Sequence, residues 1–157
     1  MNDDRPVSPC IDLDPGAGSP QIVTEAQISA MVRRFYALAF EDDLLGPMFR
    51  ATIQDFDAHY TIVEDFWSHS LLGTDRYRRG TPYSHHTHLK VESEHFDRWM
   101  AAFTAAVRET LPPAGIALAL KRAAHMTTSF KAGMLPLPPP RPRPGGSDTD
   151  GRADADR

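Results

Sequence analysis

Apolar side chains recur every three or four positions in four separate stretches of the chain, the spacing typical of amphipathic helices. The first stretch begins at Thr24, which forms a capping-box pattern with Gln27, and ends at the acidic run 41–43. The second stretch runs from about Asp55 to Leu72. β-branched residues never alternate with polar residues over the length of a strand. The pattern therefore predicts an all-α fold.

The other two predicted helices lie on either side of Pro112-Pro113. The third helix starts near Ser93, which we expect to be its N-cap. The fourth helix covers about 114–132, with Gly133 as its expected C-cap. Residues 44–49 are predicted to form a turn between the first and second helices, because they contain a Gly-Pro pair.

Proline marks the ends of the predicted domain. Four of the 14 prolines lie in 1–20 and six lie in 136–157. Neither segment has enough apolar surface to offset the entropy of ordering it. We therefore expect one domain at 21–135, a disordered N-terminal extension at 1–20 and a disordered proline-rich tail at 136–157.

Composition excludes several classes of partner and site. The chain has 17 Lys and Arg against 21 Asp and Glu, which gives no reason to expect nucleic acid or an anionic membrane as partner. Its single cysteine, Cys10, excludes an intrachain disulfide framework. No apolar run is long enough to span a bilayer, and the first residues lack the apolar region of a secretory signal. These features predict a cytoplasmic protein.

The long connection at 73–92 holds three of the seven histidines, namely His85, His86 and His88. Connections of this length in a compact domain usually have a function. A histidine cluster is compatible with a metal site, so a non-haem metal-binding protein or metal hydrolase is one hypothesis. A solvated polar loop is the other interpretation of the same pattern.

Three polar side chains lie on the apolar faces of different predicted helices: Tyr36, His59 and Trp99. Each could bond to a separate backbone carbonyl, or together they could surround a cavity with a polar ligand. A histidine on a connection, with donors on other helices, suggests haem. The apolar residues expected to line a haem slot are Phe49, Val63, Phe66, Trp67, Phe96, Phe103 and Met126.

The order of several short motifs matches one known family over roughly residues 24–134. The matching pieces are Phe35-Tyr36, Leu45-Gly46-Pro47-Met48-Phe49, His59, Phe66-Trp67, Leu71-Leu72-Gly73, Tyr77, His86 with Leu89, His95-Phe96-Asp97-Arg98-Trp99, and Arg122 to Met126 followed by Phe130. With these motifs the chain resembles the truncated haemoglobins, and within them group III.

The resemblance implies a two-over-two helical sandwich around haem b. By position, His86 matches the proximal iron ligand, three residues before Leu89. Tyr36, His59 and Trp99 match the distal residues that face the bound ligand. His69, His95 and His125 are interpreted as surface or structural residues, whereas His85 and His88 flank the expected ligand.

Other positions both follow and depart from the family pattern. Phe49 matches the phenylalanine that packs on the porphyrin. Phe56 stands where a tryptophan is common, and Lys90 stands where a proline is common.

The resemblance also implies a function. A haem protein of this family binds dioxygen, NO and CO at a five-coordinate iron, and we expect redox chemistry or sensing rather than bulk oxygen transport. An NO dioxygenase or a peroxidase-like activity would need a separate reductase, because one small domain has no room for a flavin or nicotinamide module. A haem-free helical sensor or adaptor is a third hypothesis.

Overall fold

The computed structural model describes residues 22–136 as five α-helices and a short 3-10 helix. The α-helices are α1 Glu25–Glu41, α2 Leu45–Thr52, α3 Phe56–Leu72, α4 Ser93–Thr110 and α5 Pro113–Met134; the 3-10 helix is Pro82–His85. These residues contain no strand, which confirms the predicted all-α class. The extension predicted at 1–20, and the tail predicted beyond Pro136, lie outside the described residues.

The capping box predicted at the start of α1 is present. The Thr24 hydroxyl accepts a hydrogen bond from the Gln27 backbone N–H at 3.2 Å. The Gln27 side chain in turn accepts one from the Thr24 backbone N–H at 2.9 Å. This exchange satisfies two N–H groups that the first turn of a helix leaves unpaired.

The predicted turn at 44–49 is wrong, because α2 begins at Leu45. The Asp42 carboxylate accepts hydrogen bonds from the backbone N–H groups of Leu44 and Leu45, at 2.9 and 2.8 Å. Pro47 lies in the first turn, where a missing N–H costs no helical hydrogen bond. Leu45 is fully buried, so its burial also favours the helix.

Helix α3 has clear signals at both ends. Asp55 is its N-cap and accepts from the Ala58 N–H at 3.0 Å. Gly73 is its C-cap at φ +73°, a left-handed conformation that glycine adopts without strain. In α4, Glu92 rather than the predicted Ser93 is the N-cap, and its backbone N–H donates to His95 Nδ1 at 3.1 Å.

Helix α5 passes through the predicted C-cap, Gly133, and ends at Met134. The glycine is required there for a different reason. A Cβ at Gly133 would lie 2.7 Å from Cζ of Tyr83 and would also collide with its hydroxyl. Gly133 therefore makes room for Tyr83 of the 3-10 helix rather than ending α5.

The helices form two pairs, α1 with α3 and α4 with α5, and the pairs pack on one another chiefly through α1 and α4. This arrangement is the two-over-two sandwich that the resemblance implies. Its core is apolar and takes most of its larger residues from α1, α3 and α4. The larger core residues are Ile28, Met31, Val32, Phe35, Leu45, Phe66, Trp67, Leu71, Phe103 and Val107.

Candidate functional site

A cavity of about 480 Å³ lies between α1, α3, α4 and the connection at 73–92. A second cavity, of about 150 Å³, adjoins it on the side of α2 and the C-terminal half of α5. The residues that border both cavities include Tyr36, His59, His86 and Trp99. The fold therefore brings together the three predicted distal residues and the predicted iron ligand, which are far apart in sequence.

The half-buried His86 follows directly on the 3-10 helix. Its Nδ1 lies 2.6 Å from the Pro82 backbone oxygen. Because a carbonyl only accepts, Nδ1 carries the proton and Nε2 has a free lone pair. A backbone hydrogen bond of this kind also fixes the orientation of a metal-binding imidazole. Burial lowers the pKa of His86, which favours the neutral form that binds a metal.

The two neighbouring histidines are arranged differently. His85 is exposed, and its Nε2 lies 2.7 Å from the Arg79 backbone oxygen. His88 is exposed as well, although both residues border the larger cavity. Within residues 22–136, no group of three or more histidine, cysteine or acidic side chains is placed to hold a metal ion. The histidine-cluster hypothesis is therefore not favoured.

Tyr36 and His59 form a hydrogen-bonded pair at the cavity wall. The Tyr36 hydroxyl lies 2.6 Å from His59 Nε2, and the two rings meet edge to face at 5.4 Å. Burial, with a smaller contribution from Tyr60, raises the pKa of Tyr36 far above its usual range, so the phenol stays protonated. Burial and the nearby His86 and Arg79 lower the pKa of His59, which favours the neutral imidazole.

Trp99 is held in a stack of aromatic rings. It stacks on Phe103 with ring centroids 5.0 Å apart, and Phe103 stacks on Trp67 at 4.8 Å. The ring centroid of Phe35 lies 5.3 Å from that of Trp99. Rings held on several sides leave the indole little freedom, so this wall of the cavity is rigid.

The predicted apolar lining divides between the two cavities. Val63, Phe66, Trp67 and Phe103 border the larger cavity. Phe49 and Phe96 border the smaller one, and Met126 borders both. The two cavities together therefore offer aromatic and aliphatic side chains from α1, α2, α3 and α4 as contacts for a large, flat apolar group.

Of the remaining histidines, His69 and His125 border neither cavity, whereas His95 borders the smaller one. His69 Nδ1 bonds to the Thr74 backbone oxygen at 2.6 Å, and His95 takes part in the N-terminal capping of α4. His125 is exposed on α5.

Two further residues border the larger cavity, Tyr77 and Arg79. The sequence offered Tyr77 only as one piece of the family motif and gave Arg79 no role. Tyr77 packs edge to face on Phe66 at 5.3 Å. Arg79 is exposed and places a positive charge at the rim. Both belong to the connection 73–92, where no periodicity shows which side chains point inward, and only the length of the connection signalled a function.

The residues of the cavity fit a haem group. One imidazole offers Nε2 while its other nitrogen is anchored to the backbone. The walls are largely apolar, and the polar groups on α1, α3 and α4 are an O–H, an imidazole and an indole N–H. An arginine at the rim is suited to the carboxylates of the macrocycle.

No helix within residues 22–136 is both long enough and apolar enough to cross a membrane.

Comparisons with known proteins agree with this geometry. A family model described as bacterial-like globin matches residues 21–134. A group III truncated haemoglobin from Campylobacter jejuni shares the fold with a TM-score of 0.66 at 24% identity, over 71% of this chain and 91% of that chain. A thermostable haemoglobin from the actinobacterium Thermobifida fusca has a TM-score of 0.58 at 24% identity, over 73% of this chain and 93% of that chain. No curated protein matches significantly. The chain belongs to the bacterial-like globins, haem proteins that bind diatomic ligands such as dioxygen.

Proposed function

We propose that this globin is a group III truncated haemoglobin that holds haem b through Nε2 of His86. The observation that carries the proposal is the anchored imidazole, with Nδ1 2.6 Å from the Pro82 oxygen, bordering the same cavity as Tyr36, His59 and Trp99. The proposed contacts of the macrocycle are Phe49, Val63, Phe66, Trp67, Phe96 and Phe103. Dioxygen, NO, CO and peroxide are the proposed small ligands.

Bound haem b would supply an iron that binds small diatomic ligands and shifts electron density onto them. The chain's part is to place hydrogen-bond donors where that charge develops. Tyr36 is buried and protonated, and Trp99 is fixed by its ring contacts. A hydrogen bond to a charged group contributes about 1.5–3 kcal/mol, or roughly tenfold or more in affinity. Two such donors slow ligand release, which suits oxygen chemistry or sensing better than bulk transport.

Turnover requires electrons from outside the domain. The matched globin unit covers residues 21–134, and its described part is one helical sandwich. We therefore infer that a separate reductase supplies electrons if the protein converts NO and dioxygen to nitrate or reduces peroxide. We propose the cytoplasm as the compartment, where such reductants are available.

The test is reconstitution with haemin followed by stopped-flow release of dioxygen from the reduced protein. We expect one haem per chain, a strong Soret band and slow dioxygen release. The His88→Ala variant is the matched control, since His88 lies on the same connection but is exposed, and it should bind haem as the wild type does. A protein that fails to bind haem but retains stoichiometric zinc after dialysis would overturn the proposal in favour of a metal-binding protein.

A further inference from the structure

A second tyrosine, Tyr60 of α3, packs against the distal Tyr36. The ring of Tyr60 lies 5.1 Å from the ring of Tyr36, centroid to centroid. Tyr36 is 5% exposed and borders the cavity, whereas Tyr60 is only partly buried and borders neither cavity. The two phenols therefore connect the cavity with the outer surface of α3.

Tyr36 also has a proton acceptor in place. Its hydroxyl lies 2.6 Å from His59 Nε2, which takes the phenolic proton in the tautomer that leaves Nε2 unprotonated. A buried phenol that loses an electron would otherwise hold an uncompensated positive charge in an apolar site, at a large cost in free energy. Transfer of the phenolic proton to His59 keeps the oxidised ring neutral.

We propose that Tyr36, His59 and Tyr60 carry an oxidising equivalent from the cavity to the surface, where a small phenolic donor is oxidised. The proposal rests on the proposed function, because the oxidant is a hydroperoxide reduced in the haem cavity. It assigns a one-electron oxidation site to Tyr60, which is partly exposed and borders neither cavity.

The electrons and protons balance. Reduction of a hydroperoxide, ROOH + 2e⁻ + 2H⁺ → ROH + H₂O, breaks the O–O bond and takes two electrons. One electron would come from bound haem, and Tyr36 would supply the other while its O–H proton moves to His59 Nε2. Tyr60 then gives an electron to Tyr36, which recovers its proton from His59, and Tyr60 releases its own proton to solvent.

An external phenol closes the cycle. It gives a hydrogen atom to Tyr60 and restores that residue, while a second phenol restores the haem. The sum is ROOH + 2AH → ROH + H₂O + 2A•, in which AH is the phenolic donor and A• its radical.

The other aromatic series leads away from solvent. Trp99, Phe103 and Trp67 stack in that order, but Phe103 and Trp67 are 1% and 3% exposed. A phenylalanine ring is also much harder to oxidise than a phenol or an indole. Around Tyr60, the Arg33 guanidinium lies 5.2 Å from the ring centroid. This positive charge disfavours a cationic Tyr60 ring.

The test is freeze-quench electron paramagnetic resonance of the ferric haem-reconstituted protein mixed with hydrogen peroxide. We expect a tyrosyl signal that narrows when the protein contains ring-deuterated tyrosine and is lost in Tyr36→Phe. In Tyr60→Phe, the radical should remain on Tyr36, while steady-state oxidation of guaiacol falls. His59→Gln should lower the radical yield. Tyr83→Phe is the matched control, because Tyr83 borders neither cavity, and its signal should equal that of the wild type.

An unchanged tyrosyl signal in Tyr36→Phe, or a signal that narrows only with deuterated tryptophan, would overturn the inference. Normal haem and dioxygen binding without any protein radical would also overturn it, yet would leave the proposed function intact. Failure to bind haem would instead refute the proposed function itself.

Discussion

The Tyr36 hydroxyl and His59 Nε2 lie 2.6 Å apart, so one proton sits between a phenol on α1 and an imidazole on α3. If Nε2 is unprotonated, it accepts the tyrosine O–H. If Nε2 carries the proton, Tyr36 accepts from it and its own O–H is free to point at a bound ligand. The tautomer of His59 therefore decides whether the distal tyrosine serves the ligand or the histidine.

Replacing Tyr36 by phenylalanine should raise the dioxygen dissociation rate more than His59→Leu does. The first change removes a buried donor, whereas the second removes the residue that orients it. A hydrogen bond to a charged group contributes about 1.5–3 kcal/mol, so the rate should rise roughly tenfold or more. Stopped-flow measurement of dioxygen release from the reduced protein gives the dissociation rates of both variants. A Tyr36→Phe rate equal to that of the wild type would show that the tyrosine is structural.

Loss of the charge at the cavity rim should speed haem release. In Arg79→Gln, the exposed cation that borders the larger cavity is gone. Exposed ion pairs contribute about 0.2–1 kcal/mol, so haem should dissociate up to about fivefold faster. Transfer of haem to an apo-myoglobin acceptor measures this rate. The control is Arg78→Gln, because Arg78 is 79% exposed and pairs with Asp75. Equal effects of the two variants would contradict a specific role for Arg79.

Gly46→Ala should destabilise the fold although alanine favours helices. A Cβ at Gly46 would lie 2.6 Å from the Phe40 backbone oxygen, which cannot rotate away. Overpacking of this kind costs about 1–3 kcal/mol. Urea unfolding should show a lower midpoint for this variant. Ala51→Gly, at an exposed position of the same helix, should lose only the helix propensity of alanine, about 1 kcal/mol. A Gly46→Ala protein more stable than the wild type would contradict the close approach.

The Asp42 carboxylate should make stability sensitive to acid. Hydrogen bonds from the backbone N–H of Leu45 and Leu44 lower its pKa, helped by Arg98 and opposed by burial. A group with a lowered pKa adds stability above the pKa of the unfolded chain, about 3.9 for Asp, and that stability is lost as the pH falls through the lower folded pKa. Asp42→Asn should therefore show a shallower fall of the free energy of unfolding below about pH 4.

The control for that series is Asp75→Asn, since Asp75 is 90% exposed. Urea titrations at several acidic pH values should give the same pH slope for this variant as for the wild type. If the pH slope of Asp42→Asn also equals that of the wild type, the hydrogen bonds to the Asp42 carboxylate do not contribute to acid sensitivity.

The sequence predicts the long helices well because their signals are local. Thr24, Asp55 and Gly73 act through bonds or dihedral angles within a few residues. The capping box at Thr24 is where the pattern places it, and α3 covers nearly the range predicted from Asp55 to Leu72. Helix α2 was missed because Gly46 and Pro47 favour a turn locally, while burial of Leu45 is decided by the rest of the fold. Gly133 was misassigned for a related reason, since its need for space comes from Tyr83, about fifty residues away.

In the candidate site, too, local patterns predict some features, and others depend on how the helices pack. Helical periodicity is enough to place Tyr36, His59 and Trp99 on inward faces, and the fold brings them to one cavity. The hydrogen bond between Tyr36 and His59 depends on how α1 and α3 pack, which no local signal specifies. Arg79 lies in a connection without periodicity, so its place at the rim had no signal in the sequence.

The central claim is that His86 is the iron ligand, and resonance Raman spectroscopy of the ferrous protein tests it most directly. We expect an iron–histidine stretching band in the wild type and in His88→Gly, and its loss in His86→Gly. Imidazole added to His86→Gly should restore haem binding, with an iron–imidazole band. A band that persists in His86→Gly but disappears in His88→Gly would contradict the assignment and would place the iron on the exposed histidine.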